Sequence, residues 1–395
     1  MRKVETDLIH EGEHYNDTRA ITTPIYQTAT YTASASAEQQ LTDATGTKSP
    51  YFYHRHGNPT NSQLGELIAK LENTEDGLML ATGMAAISTA VLATVVAGDH
   101  VVVQKAHYAA AQVFFREFLP AYGIEVTHVD QTNINEFERA IQKNTKLIYL
   151  ETPSNPNLEI TDLQAVAQLA KRNDIFTIVD NTFASPINQK PIDFGIDAVV
   201  HSATKYLGGH SDLTAGAICG SQEFIQKAWR KSLVLGASLS PMDSWLLLRG
   251  LKTLSLRIRQ INENALELAT WLEGQQGIQR VIYVGLPSHP QHALATKQMR
   301  GFTGMLSVEL AGADEQVAYR NAQQLLSKLQ LFGNAVSLGG VESLITHPAS
   351  LWNSTQQPGA QGKPAFHLGL LRISVGIEHI DDLKADLQQA LESLK

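Results

Sequence analysis

Short apolar runs alternate with amphipathic segments along the first two thirds of the chain. Residues 176–179 form an apolar, β-branched run that predicts a buried strand ending on Asp180, and residues 198–200 form a second run. Upstream of both, residues 61–77 place Leu and Ile side chains on one face, which predicts an amphipathic helix. This alternation of strands and helices is typical of a largely parallel α/β sheet.

The pattern changes near residue 250. Residues 246–274 predict one long connecting helix, and the shorter strands and helices beyond it predict a smaller α+β domain. Residues 1–60 carry few helix signals, so this segment is expected to be irregular. The sequence therefore predicts an N-terminal arm over 1–60, a large domain over 61–250 and a C-terminal domain over 251–395.

Composition narrows the class of protein. The chain has 395 residues, enough for two domains and a large core. Its 39 acidic residues outnumber its 31 basic ones, which argues against a nucleic acid or an anionic membrane as partner. No apolar run approaches the ~20 residues that span a bilayer, and the first residues lack the apolar segment of a secretory signal. The single cysteine, Cys219, is expected to be a buried core thiol in a cytoplasmic protein.

Candidate chemistry follows directly after the second apolar run. There the chain reads HSATKYLGG, which places Lys205 beside two hydroxyl residues, Ser202 and Thr204, and before a glycine pair. Burial lowers the pKa of a lysine and makes its amine nucleophilic, which is what Schiff-base chemistry requires. Asp180, at the end of the preceding predicted strand, would supply the anion that keeps a pyridine nitrogen protonated.

Two motifs in this region carry a family resemblance. VDNTFASP followed by HSATKYLGGHSD closely resembles the pyridoxal-phosphate enzymes of cysteine and methionine metabolism. That family includes cystathionine γ-synthase, the cystathionine and methionine lyases and the homoserine-ester sulfhydrylases. Further family motifs occur in the expected order, so the resemblance covers nearly the whole chain. It implies an aminotransferase-like fold of type I, with a large, mostly parallel-sheet domain, a smaller C-terminal α+β domain and pyridoxal 5'-phosphate as cofactor.

The resemblance also implies how subunits and cofactor are arranged. It implies a homotetramer, a dimer of dimers in which Tyr53 and Arg55 reach the cofactor phosphate of the partner subunit. Arg suits this role because its planar fork bonds two phosphate oxygens at once. Gly83 and Met84 begin a predicted helix, whose free N–H groups and positive dipole end favour a phosphate. By the resemblance the cofactor-binding residues are Tyr53, Arg55, Gly83, Met84, Tyr108, Asn155, Asp180, Ser202, Thr204 and Lys205.

The resemblance assigns the catalytic and substrate-binding roles as well. The catalytic residues it implies are Lys205, Tyr108 and Asp180, with the Tyr108 ring stacked on the cofactor and its hydroxyl near the departing group. Arg372 would bind the α-carboxylate of an amino-acid substrate, with Ser337 near the same carboxylate. Val336 stands where cystathionine-handling members usually carry a glutamate, which favours a small or apolar substrate tail.

Several departures from the family pattern leave the activity open. Residues 109–111 are alanines where the family commonly reads Gly-x-Thr after the tyrosine, and methionine lyases usually carry a cysteine at the position of Ala110. The loop around 352–367 either gates the substrate pocket or is an uninvolved surface loop. No metal site is expected, since the nearest histidine pair, His54 and His56, has no Cys or acidic cluster beside it.

The resemblance ranks the possible reactions. The leading expectation is γ-elimination from methionine, homocysteine or cystathionine, which gives a 2-oxoacid, ammonia and a thiol. The alternatives are γ-replacement on an O-acyl-homoserine, as in cystathionine γ-synthase or a sulfhydrylase, and β-elimination from cystathionine. A different class is a regulatory protein that binds pyridoxal phosphate and retains only vestigial lyase activity.

Overall fold

The computed structural model describes residues 2–16, 18–351 and 366–394. Most of the loop expected at 352–367 therefore lies outside the described residues, and its role stays a prediction. The chain divides into two compact units: Met1–Thr152 with Thr161–Ser255, and Pro153–Ile160 with Leu256–Lys395. The boundaries expected at residues 60 and 250 also stay a prediction.

A mixed sheet forms the centre of the first unit. In the described part of this unit its strands are β1 (Asp76–Leu80), β2 (His100–Gln104), β3 (Glu125–Val129), β4 (Thr145–Glu151), β5 (Phe176–Asp180), β6 (Ala198–Ser202) and β7 (Gly216–Gly220). Their order across the sheet is β1-β7-β6-β5-β4-β2-β3. Among these described strands, β7 runs antiparallel to both of its neighbours, β1 and β6, and all other neighbouring pairs are parallel. The other strands point the same way, so the predicted largely parallel sheet is confirmed, and their carboxyl ends share one edge.

Helices and two apolar clusters surround this sheet. The helices described in the first unit are Val4–His10, Glu13–Tyr15, Ala37–Thr45, Pro59–Glu72, Gly83–Thr94, Ala109–Val113, Phe114–Phe118, Leu119–Ala121, Ile134–Ala140, Leu163–Arg172, Ser185–Asn188, Pro191–Phe194, Gln222–Leu235 and Pro241–Leu251. One cluster contains Ile178 and Val200, and the other contains Val179 from the opposite face of β5. A strand that is buried on both faces needs a continuous apolar run, as the sequence of β5 provides. Cys219 is buried in β7, as expected.

The second unit has its own sheet and core. Its described strands are β8 (Ile278–Ile282), β9 (Met305–Leu310), β10 (Gly333–Asn334), β11 (Leu344–Thr346) and β12 (Leu370–Ser374), in the order β10-β11-β12-β9-β8. All neighbouring pairs are antiparallel except β10 with β11 within the described range. The described helices are Leu254–Leu272, which begins in the first unit, His292–Gln298, Glu315–Lys328, Pro348–Leu351 and Ile380–Glu392. An α+β unit with a smaller sheet was expected here.

Three local expectations were wrong, each for an identifiable reason. The helix expected over 61–77 ends at Glu72, because Asn73 adopts a left-handed conformation (φ 60°) that terminates it. The helix expected over 246–274 is two helices, because Thr253 donates both its N–H and its hydroxyl to the carbonyl of Gly250 and interrupts the helical ladder.

The third wrong expectation concerns residues 1–60, which contain helices as well as irregular chain. One of them, Ala37–Thr45, begins at Ser36, whose hydroxyl accepts the N–H of Gln39. A serine followed three residues later by a glutamine is a known helix-start signal, and it was present in the sequence. None of the helices in the described ranges is long and apolar enough to span a membrane.

Candidate active site

The carboxyl edge of the first unit's sheet carries the predicted cofactor residues Asp180 and Ser202. Asp180 is the last residue of β5, and Ser202 is the last residue of the neighbouring β6. Thr182 joins them, because its N–H donates to Asp180 Oδ1 (3.0 Å) and its hydroxyl accepts the N–H of Ser202 (2.8 Å). Polar residues that end adjacent parallel strands lie at the edge where α/β proteins commonly bind ligands.

Asp180 is a carboxylate held out of water. Its side chain is 5% exposed, and burial raises the pKa of Asp180, while its hydrogen bonds with Thr182 oppose that rise. The hydroxyl of Tyr149, on β4, lies 3.5 Å from the second carboxylate oxygen. Burial also raises the pKa of Tyr149, so this hydroxyl stays protonated and can donate a hydrogen bond to the carboxylate. A buried carboxylate of this kind is stabilised by a cationic ligand such as a protonated pyridine nitrogen.

Gly83 and Met84 form an anion-binding feature beside Ser202. They begin the helix Gly83–Thr94, in which the Thr82 hydroxyl accepts the N–H of Ala85 and the Thr82 carbonyl accepts that of Ala86. Among the described residues, the N–H groups of Gly83 and Met84 have no acceptor, which suits an anion at the positive end of the helix dipole. A Cβ at Gly83 would lie 2.6 Å from Ser202 Cβ, so a larger residue would clash with Ser202, and glycine allows the helix start to lie directly against it.

Lys205 and Thr204 lie in the turn that follows β6. The Lys205 N–H donates to the carbonyl of Ser202 (3.1 Å), and its own carbonyl accepts the N–H of Gly209 (2.8 Å), which fixes its backbone. The side chain of Lys205 is half-buried. The Thr204 hydroxyl exchanges hydrogen bonds with the backbone of Ala215, so it anchors the turn in this structure. Phosphate binding by Thr204 stays a prediction.

Tyr108 stands between β2 and the helix Ala109–Val113. Its ring is 46% exposed, and its backbone N–H donates to the Glu151 carboxylate (2.8 Å). Glu151 ends β4 directly beside Asp180, with their Cα atoms paired in the ladder. Sequence analysis missed Glu151, although it ends its strand just as Asp180 does. It also missed Thr182 and Tyr149, for which the residue pattern gave no separate signal.

Tyr53 and Arg55 lie together on the surface of the first unit. The guanidinium of Arg55 is 5.5 Å from the centre of the Tyr53 ring, and its Nη1 donates to the carbonyl of Leu233 (3.4 Å). Both side chains are exposed. Within the described chain, no contact joins either of them to Gly83 or Ser202. The single chain therefore leaves their predicted role toward a partner subunit untested.

The predicted substrate residues lie in the second unit. Arg372, on β12, is nearly buried, and its Nη2 donates to the carbonyl of Ser337 (3.0 Å). Its Nη1 donates to Asn155 Oδ1 (3.1 Å), so Asn155 is placed beside the arginine that was expected to bind the substrate carboxylate. Ser337 adopts a left-handed conformation (φ 88°), which serine rarely does without a local reason. Its neighbour Val336 is 63% exposed and has an apolar side chain, as the sequence indicated.

These features together are those of a pyridoxal-phosphate enzyme with an α/β fold. The chain belongs to the Cys/Met metabolism PLP-dependent enzymes, whose family model matches residues 5–392. It is 41% identical over 392 residues to an L-methionine gamma-lyase of Fusobacterium nucleatum subsp. nucleatum, covering 98% of each chain. It is 42% identical over 394 residues to a cystathionine gamma-lyase of Bacillus subtilis, covering 99% of this chain and 100% of the relative.

A solved structure gives a similar result. The crystal structure of cystathionine gamma synthase from Xanthomonas oryzae pv. oryzae, in complex with aminoacrylate and cysteine, matches with a TM-score of 0.91 at 37% identity. The match covers 100% of this chain and 99% of that one. The aminotransferase-like fold expected from the sequence motifs is thus confirmed, and so are the family and its cofactor.

The residues of the first unit fit pyridoxal phosphate. Two N–H groups at the start of the helix Gly83–Thr94, which have no acceptor among the described residues and lie beside Ser202, suit its phosphate. The buried Asp180 suits its ring nitrogen. In the described ranges, no group of three or more His, Cys, Asp or Glu side chains could hold a metal ion.

Gly83→Ala is expected to weaken binding of pyridoxal phosphate by at least ~10-fold, about 1.4 kcal/mol, because the new methyl group would clash with Ser202 and displace a residue predicted to bind the phosphate. The new Cβ would lie 2.6 Å from Ser202 Cβ and 2.8 Å from its Oγ. The measurement is a titration of cofactor-free protein with pyridoxal phosphate. Gly274→Ala is the control, since the nearest atom to its Cβ is a backbone oxygen at 3.6 Å. Equal affinities of the two variants would contradict the assignment.

Asp180→Asn is expected to stabilise the cofactor-free protein and to weaken cofactor binding. Burial raises the folded-state pKa of Asp180, so the folded chain binds the proton more tightly than the unfolded chain. Stability therefore falls as pH rises from the unfolded to the folded pKa, and asparagine removes that loss.

The measurement for Asp180→Asn is thermal unfolding of both cofactor-free proteins across acidic and neutral pH. The variant should gain most at the higher pH and converge with the wild type in acid. Asp212→Asn, at an exposed position, is the control and should show no such trend. A variant that is less stable than wild type at every pH would rule out the burial argument.

Proposed function

We propose that this enzyme is a pyridoxal-phosphate-dependent carbon–sulfur lyase that catalyses γ-elimination on methionine, homocysteine or cystathionine. The products are a 2-oxoacid, ammonia and a thiol. The observation that carries the proposal is the carboxyl edge where Asp180, Thr182 and Ser202 are joined by hydrogen bonds beside the helix that begins at Gly83. The names of relatives at 41% and 42% identity, both γ-lyases, support elimination as the reaction.

The residues of the first unit have distinct parts in the proposed reaction. The bound cofactor supplies an electron sink through its protonated pyridine ring. Asp180 would accept a hydrogen bond from that ring nitrogen and keep it cationic. Lys205 would hold the cofactor covalently at rest, and its Nζ, once the amino group of the substrate has displaced it, would take the proton from the substrate α carbon. The Tyr108 hydroxyl donates a proton to the departing sulfur atom.

Recognition of the amino acid is assigned to Arg372. Arg372 binds the α-carboxylate, since its guanidinium is held by the Asn155 side chain and the Ser337 carbonyl in a fixed orientation. Rigid placement of the carboxylate fixes which bond of the α carbon is presented for cleavage. Val336 directly precedes Ser337 in the sequence. Its side chain is apolar and exposed, so it favours an uncharged substrate tail over the distal amino group of cystathionine.

A second candidate is γ-replacement on an O-acyl-homoserine. It is supported by the structural match to a cystathionine gamma synthase at 37% identity. Elimination and replacement use the same residues for proton transfer and carboxylate binding. They differ in whether a thiol reaches the unsaturated product of γ-departure before water does.

A product assay on purified enzyme tests the proposal. Methionine, homocysteine, cystathionine and O-acyl-homoserines are each offered with and without cysteine or sulfide. We expect 2-oxobutanoate from the sulfur amino acids without an added thiol. Turnover confined to acyl-homoserine plus thiol would replace the proposal with a synthase, and pyruvate from cystathionine would indicate β-elimination.

The proposal includes a homotetramer, a dimer of dimers with shared active sites. The exposed, adjacent Tyr53 and Arg55 support it, because a motif expected to bind phosphate is exposed on the single chain. The test mixes Arg55→Ala subunits with Lys205→Ala subunits. Hybrid dimers should regain activity at one intact site, and a complete lack of recovery would refute the shared site.

We also propose a cytoplasmic location, supported by the single, buried cysteine, which fractionation of the source cells would check.

A further inference from the structure

The position of the Tyr108 ring depends on its backbone. Tyr108 caps the helix Ala109–Val113 without a side-chain cap bond, and its ring is 46% exposed. Its hydroxyl makes no hydrogen bond to another described residue. A ring that is half exposed, directly before the helical segment that starts at Ala109, is only partly held by packing against its neighbours. The contacts of its main chain must therefore fix where the ring lies.

A buried carboxylate accepts the N–H of that main chain, while the Tyr108 carbonyl accepts the N–H of Gln112 in the first helical turn. The Tyr108 N–H donates to Glu151 Oε2 at 2.8 Å. Glu151 is 3% exposed and is the last residue of β4. A hydrogen bond from a backbone N–H to a carboxylate is stronger than one to a neutral oxygen. Glu151 thus holds the first residue of the connection against the end of a central strand.

Gln104 links Glu151 to the chain segment that leads into Tyr108. The Gln104 side chain donates to the Glu151 carbonyl (2.7 Å) and accepts the Glu151 N–H (2.9 Å). It also donates to the carbonyl of Ala106, two residues before Tyr108. Both Gln104 and Glu151 end their strands, β2 and β4, which are adjacent and parallel. The ends of two central strands and the start of the connection are therefore joined by direct hydrogen bonds.

We propose that Glu151 is a positioning residue that fixes the Tyr108 ring and hydroxyl for proton donation to the departing group. This inference rests on the proposed function of Tyr108 and adds the residue that orients it. Glu151 acts on a group needed when the substituent departs. Its loss should therefore lower kcat more than it raises KM, and it should leave the cofactor content unchanged.

The test compares Glu151→Ala, Glu151→Asp and Glu151→Gln by kcat, KM and the circular dichroism of the bound cofactor. Glu151→Ala removes the acceptor and is expected to lower kcat by ~10²-fold, the cost of a misplacement of about 1 Å. Its cofactor dichroism should change while absorbance stays the same. Glu151→Asp withdraws the oxygens by one methylene and should lose less. Glu151→Gln keeps an oxygen that accepts the Tyr108 N–H and should lose least.

A double-variant cycle separates positioning from general support of the fold. In a Tyr108→Ala background, Glu151→Ala should cost little further in kcat, because residues acting through one contact are not additive. Additive losses would overturn the inference. Equal losses in Glu151→Gln and Glu151→Ala would overturn it too, since the charge and not the hydrogen bond would then matter. If Glu151→Ala does not fold, Glu151→Asp is compared in the same two backgrounds.

The wild-type measurements separate this inference from the proposed function. A wild-type protein that binds no pyridoxal phosphate, or that eliminates no sulfur amino acid, contradicts the proposed function. A wild type that does both, with Glu151→Ala and Glu151→Asp unchanged in kcat and dichroism, contradicts only the role of Glu151.

Discussion

Lys205→Ala is expected to lower the elimination rate by at least ~10²–10⁴-fold, the usual contribution of a positioned proton-transfer group. The variant loses both the amine that binds the cofactor covalently and the base for the α proton. The backbone at this position is held by bonds to Ser202 and Gly209, so the turn should keep its shape when the side chain is shortened. The measurement pairs the rate of 2-oxoacid release with the visible absorption band of the covalently bound cofactor.

A matched control separates this role from a general effect of charge. Lys231 is exposed on the helix Gln222–Leu235, and Lys231→Ala should leave both the rate and the visible band at wild-type levels. Lys205→Ala should retain pyridoxal phosphate through the contacts to its phosphate and ring nitrogen, but without the visible band. An unchanged band in Lys205→Ala would show that another lysine binds the cofactor covalently and would refute this assignment.

The main sheet was predictable because its strands are buried on both faces. A strand of that kind must be a continuous apolar run, and the first polar residue after it falls at the edge of the sheet. Asp180 follows from this pattern of residues alone, whereas Ser202 comes one residue after His201, the first polar residue beyond its run. The same argument applies to Glu151, which ends β4 after an equally apolar run.

Other features depend on contacts that a local pattern does not contain. Arg372 and Asn155 are 217 positions apart, and only the folded second unit brings their side chains within 3.1 Å. The link from Asp180 to Ser202 through Thr182 requires a hydroxyl that faces a neighbouring strand across 20 positions of sequence. The left-handed Asn73 shows a related limit, since asparagine permits that conformation but does not require it.

Glu72 is the second position at which we expect a large effect. It is the last residue of the helix Pro59–Glu72 and is fully buried. Its Oε1 lies 2.6 Å from His201 Nε2 and accepts the side-chain N–H of Asn181 at 2.8 Å. Glu72→Ala leaves both buried donors without this acceptor, at about 1–3 kcal/mol each, so the free energy of unfolding should fall by roughly 2–6 kcal/mol.

Thermal unfolding of the cofactor-free protein measures that loss, at about 2–4 °C for each kcal/mol in a unit of this size. Glu138→Ala, at an exposed helical position, is the control and should change stability by less than ~0.5 kcal/mol. Glu72→Gln keeps an acceptor for both donors and should recover most of the loss. If Glu72→Gln is as unstable as Glu72→Ala, then Glu72 and His201 form an ion pair, and the charge of Glu72 stabilises the fold.

The position of the hydrogen bonds from Glu72 to His201 and Asn181 links the stability of the fold to the active site. Asn181 directly follows Asp180, and His201 directly precedes Ser202, so Glu72 fixes the ends of the two strands that carry both groups. Gln189 extends the network, since its side chain donates to Asn181 Oδ1 and to the carbonyl of Thr152, one residue beyond Glu151. Glu72→Ala should therefore weaken cofactor binding as well as the fold. A variant with a lowered unfolding temperature but wild-type cofactor affinity would show that the strand ends hold their positions without Glu72.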